Sequence, residues 1–535
     1  MKKLSIVISL LLVLALLLSC APKPASTPGP APTPPPVPQA PSGPTGELTL
    51  ALTDWGNDTF APATAQGQNR IAWDLIFNYL MVFNADRKLE PSLATKWEMS
   101  PDGKTWTISL RNDVKFQNGD PLTAEDVKYS IEDAIIPESI STGGPMIRES
   151  LESMEVTDPY TLVLHMNKPT MKSAIITPLA RYIPIVPKSY RESVGRDEFE
   201  RKPIGTGPFN LVGHVIGDSF KFEAWDGYWG PAPAFKTLTV KYVPEEATRI
   251  AMLKTGEADI VNIEISSKQE VQSAGFKIAA AKGMFNSNVN FLGQYYPDSP
   301  GYDSDNPFLD VRVRQALTLA INREELAEQI FLGQAVPSGN WPFMPGLEGW
   351  DDKWTPRPYD LEKAKQLMAE AGYPNGFKTK MYIYKTSGMP DLPKMTEAIT
   401  MYWAELGVQA ELEQTKWSAV KPSLKAEEVS GHTILRRGDA QDDCLSRMNT
   451  EVSSWGITRA FETAETDALI KEIGATLDDT TRANLSKQLG QILYDQYATA
   501  PLVRVDTLYA VSGKIGDWQL LPFASVLNLQ SLSHP

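Results

Sequence analysis

The sequence predicts an α/β protein. Apolar residues recur with period 2 in some stretches, as half-buried strands require, and with period 3.6 behind capping residues in others, as amphipathic helices require. The two kinds of stretch alternate along the chain from Glu47 onward, and no internal repeat is visible.

Among the strands, 105–110 places Trp106, Ile108 and Leu110 on one face. Residues 161–166 do the same with Leu162, Leu164 and Met166, and a third strand sets Leu238, Val240 and Tyr242 together. A helix follows Pro121-Leu122, with Thr123 as N-cap, Asp126 three residues on, and Val127, Ile131 and Ala134 on its apolar face. Asp310 caps a second, whose stripe is Val313, Ala316, Leu317, Ala320 and Ile321. Asp360 caps a third, with Leu361, Ala364, Leu367, Met368 and Ala371 inward and Gly372 as its stop. The segment 203–209 (PIGTGPF) lacks the lysine of a phosphate loop and reads as a backbone turn that needs glycine at unusual φ.

At 535 residues the chain has room for about three domains. Hydrophobic residues make up 42% and charged residues 22%, so only local disorder is expected. The net charge of −14 argues against a nucleic-acid partner, which demands a basic face. The cysteines are Cys20 and Cys444, too few for a disulfide framework, and Cys444 reads as a free thiol. The four histidines are scattered singly, and no HExxH motif is present. GxSxG, GxxxxGK[ST] and GxGxxG are also missing. No catalytic constellation emerges, so no enzyme activity, cofactor or metal is expected.

The first nineteen residues read as a secretory signal. Lys2 and Lys3 form a basic start, and residues 4–18 form an apolar run too short to span a membrane comfortably. The run ends Leu17-Leu18-Ser19-Cys20, which resembles a bacterial lipobox. That resemblance implies cleavage before Cys20 and a lipid on its thiol. Cleavage removes two lysines and leaves a charge of −16. Residues 21–46 then carry eleven prolines, almost no charge and few large apolar side chains. Such a stretch cannot bury a core and reads, with Cys20, as an extended disordered tether over 20–46.

A set of short segments occurs in order across the body. It comprises 89–97 (LEPSLATKW), 100–106 (SPDGKTW), 110–119 (LRNDVKFQNG), 123–127 (TAEDV), 205–209 (GTGPF), 228–230 (YWG) and 256–260 (GEADI). It continues with 311–317 (VRVRQAL), 320–323 (AINR), 363–367 (KAKQL), 370–374 (EAGYP), and Trp403 with 406–408 (LGV). Each piece is weak alone. Together, in register over about 300 residues, they make the chain resemble extracellular solute-binding proteins of family 5, the substrate-binding lipoproteins of oligopeptide, dipeptide and nickel ABC transporters.

The resemblance implies a periplasmic-binding-protein fold of class II, cluster C: two hinged lobes plus an inserted domain. Lobe I would comprise 47–74, 201–285 and 501–535; lobe II, 75–200, would be inserted in it; lobe III would be 286–500. Crossover strands near Phe285 and Pro501 would form the hinge. Solute would lie in the interlobe cleft, and closure would be a population shift toward the state in which both lobes touch it. An ABC permease and ATPase complex, a small solute (peptide foremost) and the membrane, through the lipid, are the implied partners. A monomer is expected.

Peptide-binding members carry an aromatic, and then an Asp for the peptide amino group, before the second hinge. Here 432–443 matches that stretch: Asp439 falls where the Asp belongs, Arg436 replaces the aromatic, and Arg437 adds a second charge. A buried guanidinium fork suits a carboxylate or phosphate, which raises an acid-bearing ligand as an alternative. The competing reading pairs both arginines locally with Asp439, Asp442 or Asp443. Tyr384 and Lys385, after a strand, and Trp55, after the first strand of lobe I, are further ligand candidates; Trp341 and Trp417 rank below them. Oligosaccharide, metal-chelate and opine-like ligands stay open, as does a ligand-sensing lipoprotein of the same fold. A secreted glycosidase built on paired carboxylates is the enzymatic alternative.

Overall fold

The structure is a computed structural model that describes residues 43–53, 58–64, 70–85, 88–385, 389, 391–439, 445–521 and 527–535, with only the backbone described at 282–284, 418, 439 and 446. The leader, Cys20, the tether up to residue 42, Trp55, Asp442, Asp443 and Cys444 lie outside the described residues, whereas Thr45, at the end of the tether, donates from its backbone N to the Ala234 carbonyl at 2.9 Å. Residues 43–535 form one compact unit.

The strands of the first half are β1 (Glu47–Leu52), β2 (Met81–Phe83), β3 (Leu89–Pro91), β4 (Ala94–Met99), β5 (Thr105–Leu110), β6 (Leu151–Asp158), β7 (Thr161–Met166), β8 (Phe209–Val215), β9 (Ser219–Ala224), β10 (Thr237–Tyr242) and β11 (Ile260–Ile263). Those of the second are β12 (Lys277–Phe291), β13 (Val336–Pro337), β14 (Lys378–Ile383), β15 (Gln409–Gln414), β16 (His432–Asp439) and β17 (Thr499–Val511). The mixed α/β architecture expected from the alternating patterns is present.

One large sheet runs β15-β14-β16-β12-β17-β11-β1-β10-β9-β8, with β13 on β17. A separate sheet, β4-β5-β7-β6, has its own apolar core with Trp106, Ile108, Leu162 and Leu164. Its strands β5 and β7 bury alternate residues as their sequences require. Strand β10 buries Leu238 and Val240, but Tyr242 is exposed because the strand leaves the core at its carboxyl end.

The helix Ala124–Ala134 begins where expected, with Asp126 accepting from both the backbone N and Oγ1 of Thr123. The helix capped by Asp310 stops at Leu319, short of Ala320 and Ile321. Asn322 caps a new helix, Arg323–Phe331, and the two leftover apolar residues fill the junction, fully buried. The third helix, Leu361–Glu370, runs to the left-handed Gly372 as expected, but it buries only Ala364, Leu367 and Met368 of its stripe. The 205–207 turn has a different cause from the one its sequence suggests. Neither glycine has positive φ. A Cβ on Gly205 would sit 2.3 Å from the Ile76 carbonyl oxygen, and one on Gly207 would sit 2.5 Å from the Ile76 carbonyl carbon. Close backbone approach excludes a side chain there.

Strands β12 and β17 occupy the middle of the large sheet, and each belongs to both halves of it. The lower part of β17 pairs with β11 through Leu508–Val511, and the upper part of β12 pairs with β16 through 285–291. Between these parts the register breaks. Ala281 faces Thr507 and Phe285 faces Val505, so three residues of β12 lie opposite Asp506 alone.

Candidate functional site

Strand direction locates the site. On one side of the register break, β1 runs parallel to β10 and β11. On the other, β14 runs parallel to β15 and β16. Strand β11 ends at Ile263 opposite Leu508, and β16 ends at Asp439 opposite Phe285. Both parallel sets therefore aim their carboxyl ends at the register break around Asp506. Loops at the carboxyl ends of parallel strands are where α/β sheets hold ligands. A small cavity opens there, lined from one half by Thr53 and Asn262, from the other by Met389 and Asp391, and beneath by Asp506 and Tyr509.

Of the residues singled out in the sequence, most of those described follow or end strands on the β14–β16 side of the sheet, and none of them lines this cavity. Tyr384 and Lys385 follow β14, Trp417 opens the helix after β15, and Arg436 to Asp439 end β16. Tyr384 is buried and donates from its hydroxyl to the Leu435 carbonyl at 3.1 Å, whereas Lys385 is exposed. The pleat sends Arg436 and Arg437 to opposite faces. The Arg437 guanidinium lies 4.4 Å above the Phe285 ring.

Arg436 is buried. Its Cζ sits 3.6 Å over the Trp417 ring, its Nη1 donates to the Tyr384 hydroxyl at 3.4 Å, and its Nη2 donates to Glu451 Oε1 at 2.8 Å. Burial pulls the guanidinium pKa down, but the Glu451 carboxylate and the Tyr384 hydroxyl outweigh burial and raise it above its ordinary value. Burial pushes Glu451 up, and Arg436 outweighs that in turn, leaving the acid ionised and below its usual range. Among the described residues Arg436 is paired with Glu451, a partner the sequence did not suggest.

Sequence reading missed what lies opposite. Across the ladder Asn288 faces Arg436, Asn286 faces Gly438 and Asn290 faces Ile434, and all three asparagines are fully buried. Asn290 donates from Nδ2 to Glu451 Oε2 at 3.2 Å and accepts from Asn288 Nδ2. Asn286 donates to the Asn340 carbonyl at 3.2 Å. Trp341 covers Gly438 so closely that a Cβ there would meet its ring at 2.3 Å. A signal for this row exists: Asn286, Asn288 and Asn290 recur with period 2, the mark of one polar strand face.

Beside the cavity-lining Asp391, Lys394 joins the two halves of the sheet. It donates to Glu264, just past β11, and lies 3.3 Å from Asp391 at the start of the helix Leu392–Ala404. Burial first, and then the Glu264 charge, push the Asp391 carboxyl up to about 6 against the pull of Lys394.

Residues 88–443 match the family model for bacterial extracellular solute-binding proteins, family 5. Heme-binding protein A of Haemophilus influenzae is 28% identical over 479 residues, covering 84% of this chain and 85% of its own. The dipeptide-binding protein of Escherichia coli is 27% identical over 470 residues, covering 81% and 84%. The fold matches the periplasmic binding protein DppA of Helicobacter pylori, solved with the peptide STSA, at a TM-score of 0.78 and 24% identity over 92% of this chain and 98% of that one. It matches NikA of Brucella suis, solved with Fe(III)-EDTA, at 0.80 and 20% identity over 92% and 100%. The matched residues run from β3 to β16 and so take in strands from both halves of the large sheet, and the fold superposes on solved binding proteins over 92% of the chain: this chain belongs to the bacterial extracellular solute-binding proteins, family 5.

Proposed function

We propose that the chain is the lipid-anchored, extracytoplasmic binding component of an ABC importer and that it captures peptides where the two halves of the large sheet meet. One observation carries the choice of site. Among the described residues, four buried polar atoms on one face of the β12–β16 pair lack a protein partner: Asn286 Oδ1, Asn288 Oδ1, Trp341 Nε1 and Arg436 Nε. Each such atom costs about 1–3 kcal/mol when left unmade, and a bound solute offsets that. Two acceptors and two donors together match the amide groups of a peptide, which carry both. Glu451 pairs with Arg436 and also lies 3.8 Å from Arg447 Nη1, so one carboxylate faces two guanidiniums and an acid-bearing ligand is the second reading.

Lobe I (47–74, 201–285, 501–535), the inserted lobe II (75–200) and lobe III (286–500) close around the solute by bending at 282–284 and Asp506, where the ladder is interrupted. Asp439, at the end of β16, receives the peptide amino group, with Tyr384 and Lys385 lining the far end and Trp55 the side of lobe I. Cys20 carries the lipid, and the proline-rich tether lets the body turn beside a membrane. Among the described residues no helix is long and apolar enough to cross a membrane. The working unit is a monomer that docks on a permease and its ATPase.

Calorimetric titration with alanine peptides of two to five residues tests this reading. Saturable binding, together with a smaller radius of gyration in solution scattering, supports it. Heat from a sugar or metal chelate but from no peptide refutes the choice of ligand.

A further inference from the structure

The orientation of a carboxamide is set by what its two ends touch. Ionised Glu451 only accepts, so Asn290 must present Nδ2 to it, and does so at 3.2 Å. Asn290 Oδ1 then faces Asn288 and takes the proton of its Nδ2. Asn288 has its Nδ2 committed, and its Oδ1 is left buried without a partner among the described residues. The Asn340 carbonyl orients Asn286 the same way, and Asn286 Oδ1 is likewise left over. Residues two apart on a strand face lie about 6.6 Å apart. The face thus presents two acceptors at that spacing, and the polarity of one of them is dictated by a carboxylate two side chains away.

We infer that Glu451 is a positioning residue for ligand recognition: acting through Asn290, it holds the Asn288 carboxamide with Oδ1 toward the ligand, so that this face selects ligands that bring N–H donors. This rests on the peptide site proposed above. The buried Arg436–Glu451 pair then has a role besides stability, because it keeps Glu451 ionised and hence acceptor-only. A neutral glutamine at 451 can turn either end toward Asn290, and the fixed polarity of the row is lost.

The test compares trialanine with its backbone ester analogue, in which the central N–H is replaced by oxygen, on the full chain in detergent. Binding is measured by calorimetry and folding by circular dichroism. The wild type prefers the amide by about tenfold, the worth of one hydrogen bond in a dry site. Glu451→Gln narrows the preference to about twofold, and so does Asn288→Ala, which leaves the Arg436–Glu451 bridge in place and serves if the first variant fails to fold. A preference that stays tenfold in the folded variants overturns the positioning role and leaves peptide capture standing. Equal binding of amide and ester by the wild type also overturns it. A wild type that binds neither overturns the peptide reading together with the inference.

Discussion

The Arg436 guanidinium donates from Nη2 to Glu451 Oε1 at 2.8 Å, and both side chains are buried. Removing one partner leaves the other charged in a dry setting. Glu451→Ala is expected to lower stability by about 3–5 kcal/mol in urea unfolding, whereas the double change Arg436→Met with Glu451→Leu recovers most of that loss. Equal losses in the single and double variants would show that packing, not charge, sets the effect.

Gly438 has no room for a methyl group because Trp341 covers it. Gly438→Ala is expected to displace the indole and cost about 1–3 kcal/mol. Tryptophan fluorescence should shift with the loss; an unchanged spectrum and midpoint would contradict the contact.

Asp391 gives a pH dependence with a definite sign. Its carboxyl is raised from 3.8 to about 6 in the fold, so between those values the folded state binds more protons than the unfolded one. This contribution to stability falls as pH rises from about 4 to 6 and then stays level. Asp391→Asn is expected to flatten that slope and to gain on the order of 2 kcal/mol near pH 7. A slope that persists in the variant assigns it to another group.

Tyr384→Phe removes a hydroxyl that donates to the Leu435 carbonyl and accepts from Arg436. A cost of about 1 kcal/mol is expected. Lys385→Ala, on an exposed side chain, should leave stability within about 0.5 kcal/mol, so a fall in peptide affinity there would report direct contact.

Cys20→Ser is expected to move the chain from the detergent phase to the aqueous phase in phase partitioning, with peptide binding unchanged. Equal partitioning of both forms would remove the lipid anchor from the account.

Legibility in the sequence followed the range of the forces involved. Strands β5 and β7 and the Thr123 cap depend on neighbours a few residues away, and their patterns stated them in full. The end of the helix after Asp310 did not, because Asn322 imposes a competing cap on an apolar pattern that runs straight through it. Gly205 and Gly207 were visible as special, but the reason lies in Ile76, more than a hundred residues earlier. Of the proposed site, the end of β16 and the residue after β14 were named through family resemblance. Glu451 was not, since only the fold brings a residue of the 448–452 turn beneath Arg436. The asparagine row could have been read from its period of two; its orientation could not, because that depends on Glu451.

The most direct test of peptide capture at the sheet junction is native mass spectrometry of the body from Glu47 onward, before and after denaturation. Released masses spaced by amino-acid residues are expected, in lower yield from Asn288→Ala than from the wild type. A single released sugar, acid or metal-chelate mass would contradict it.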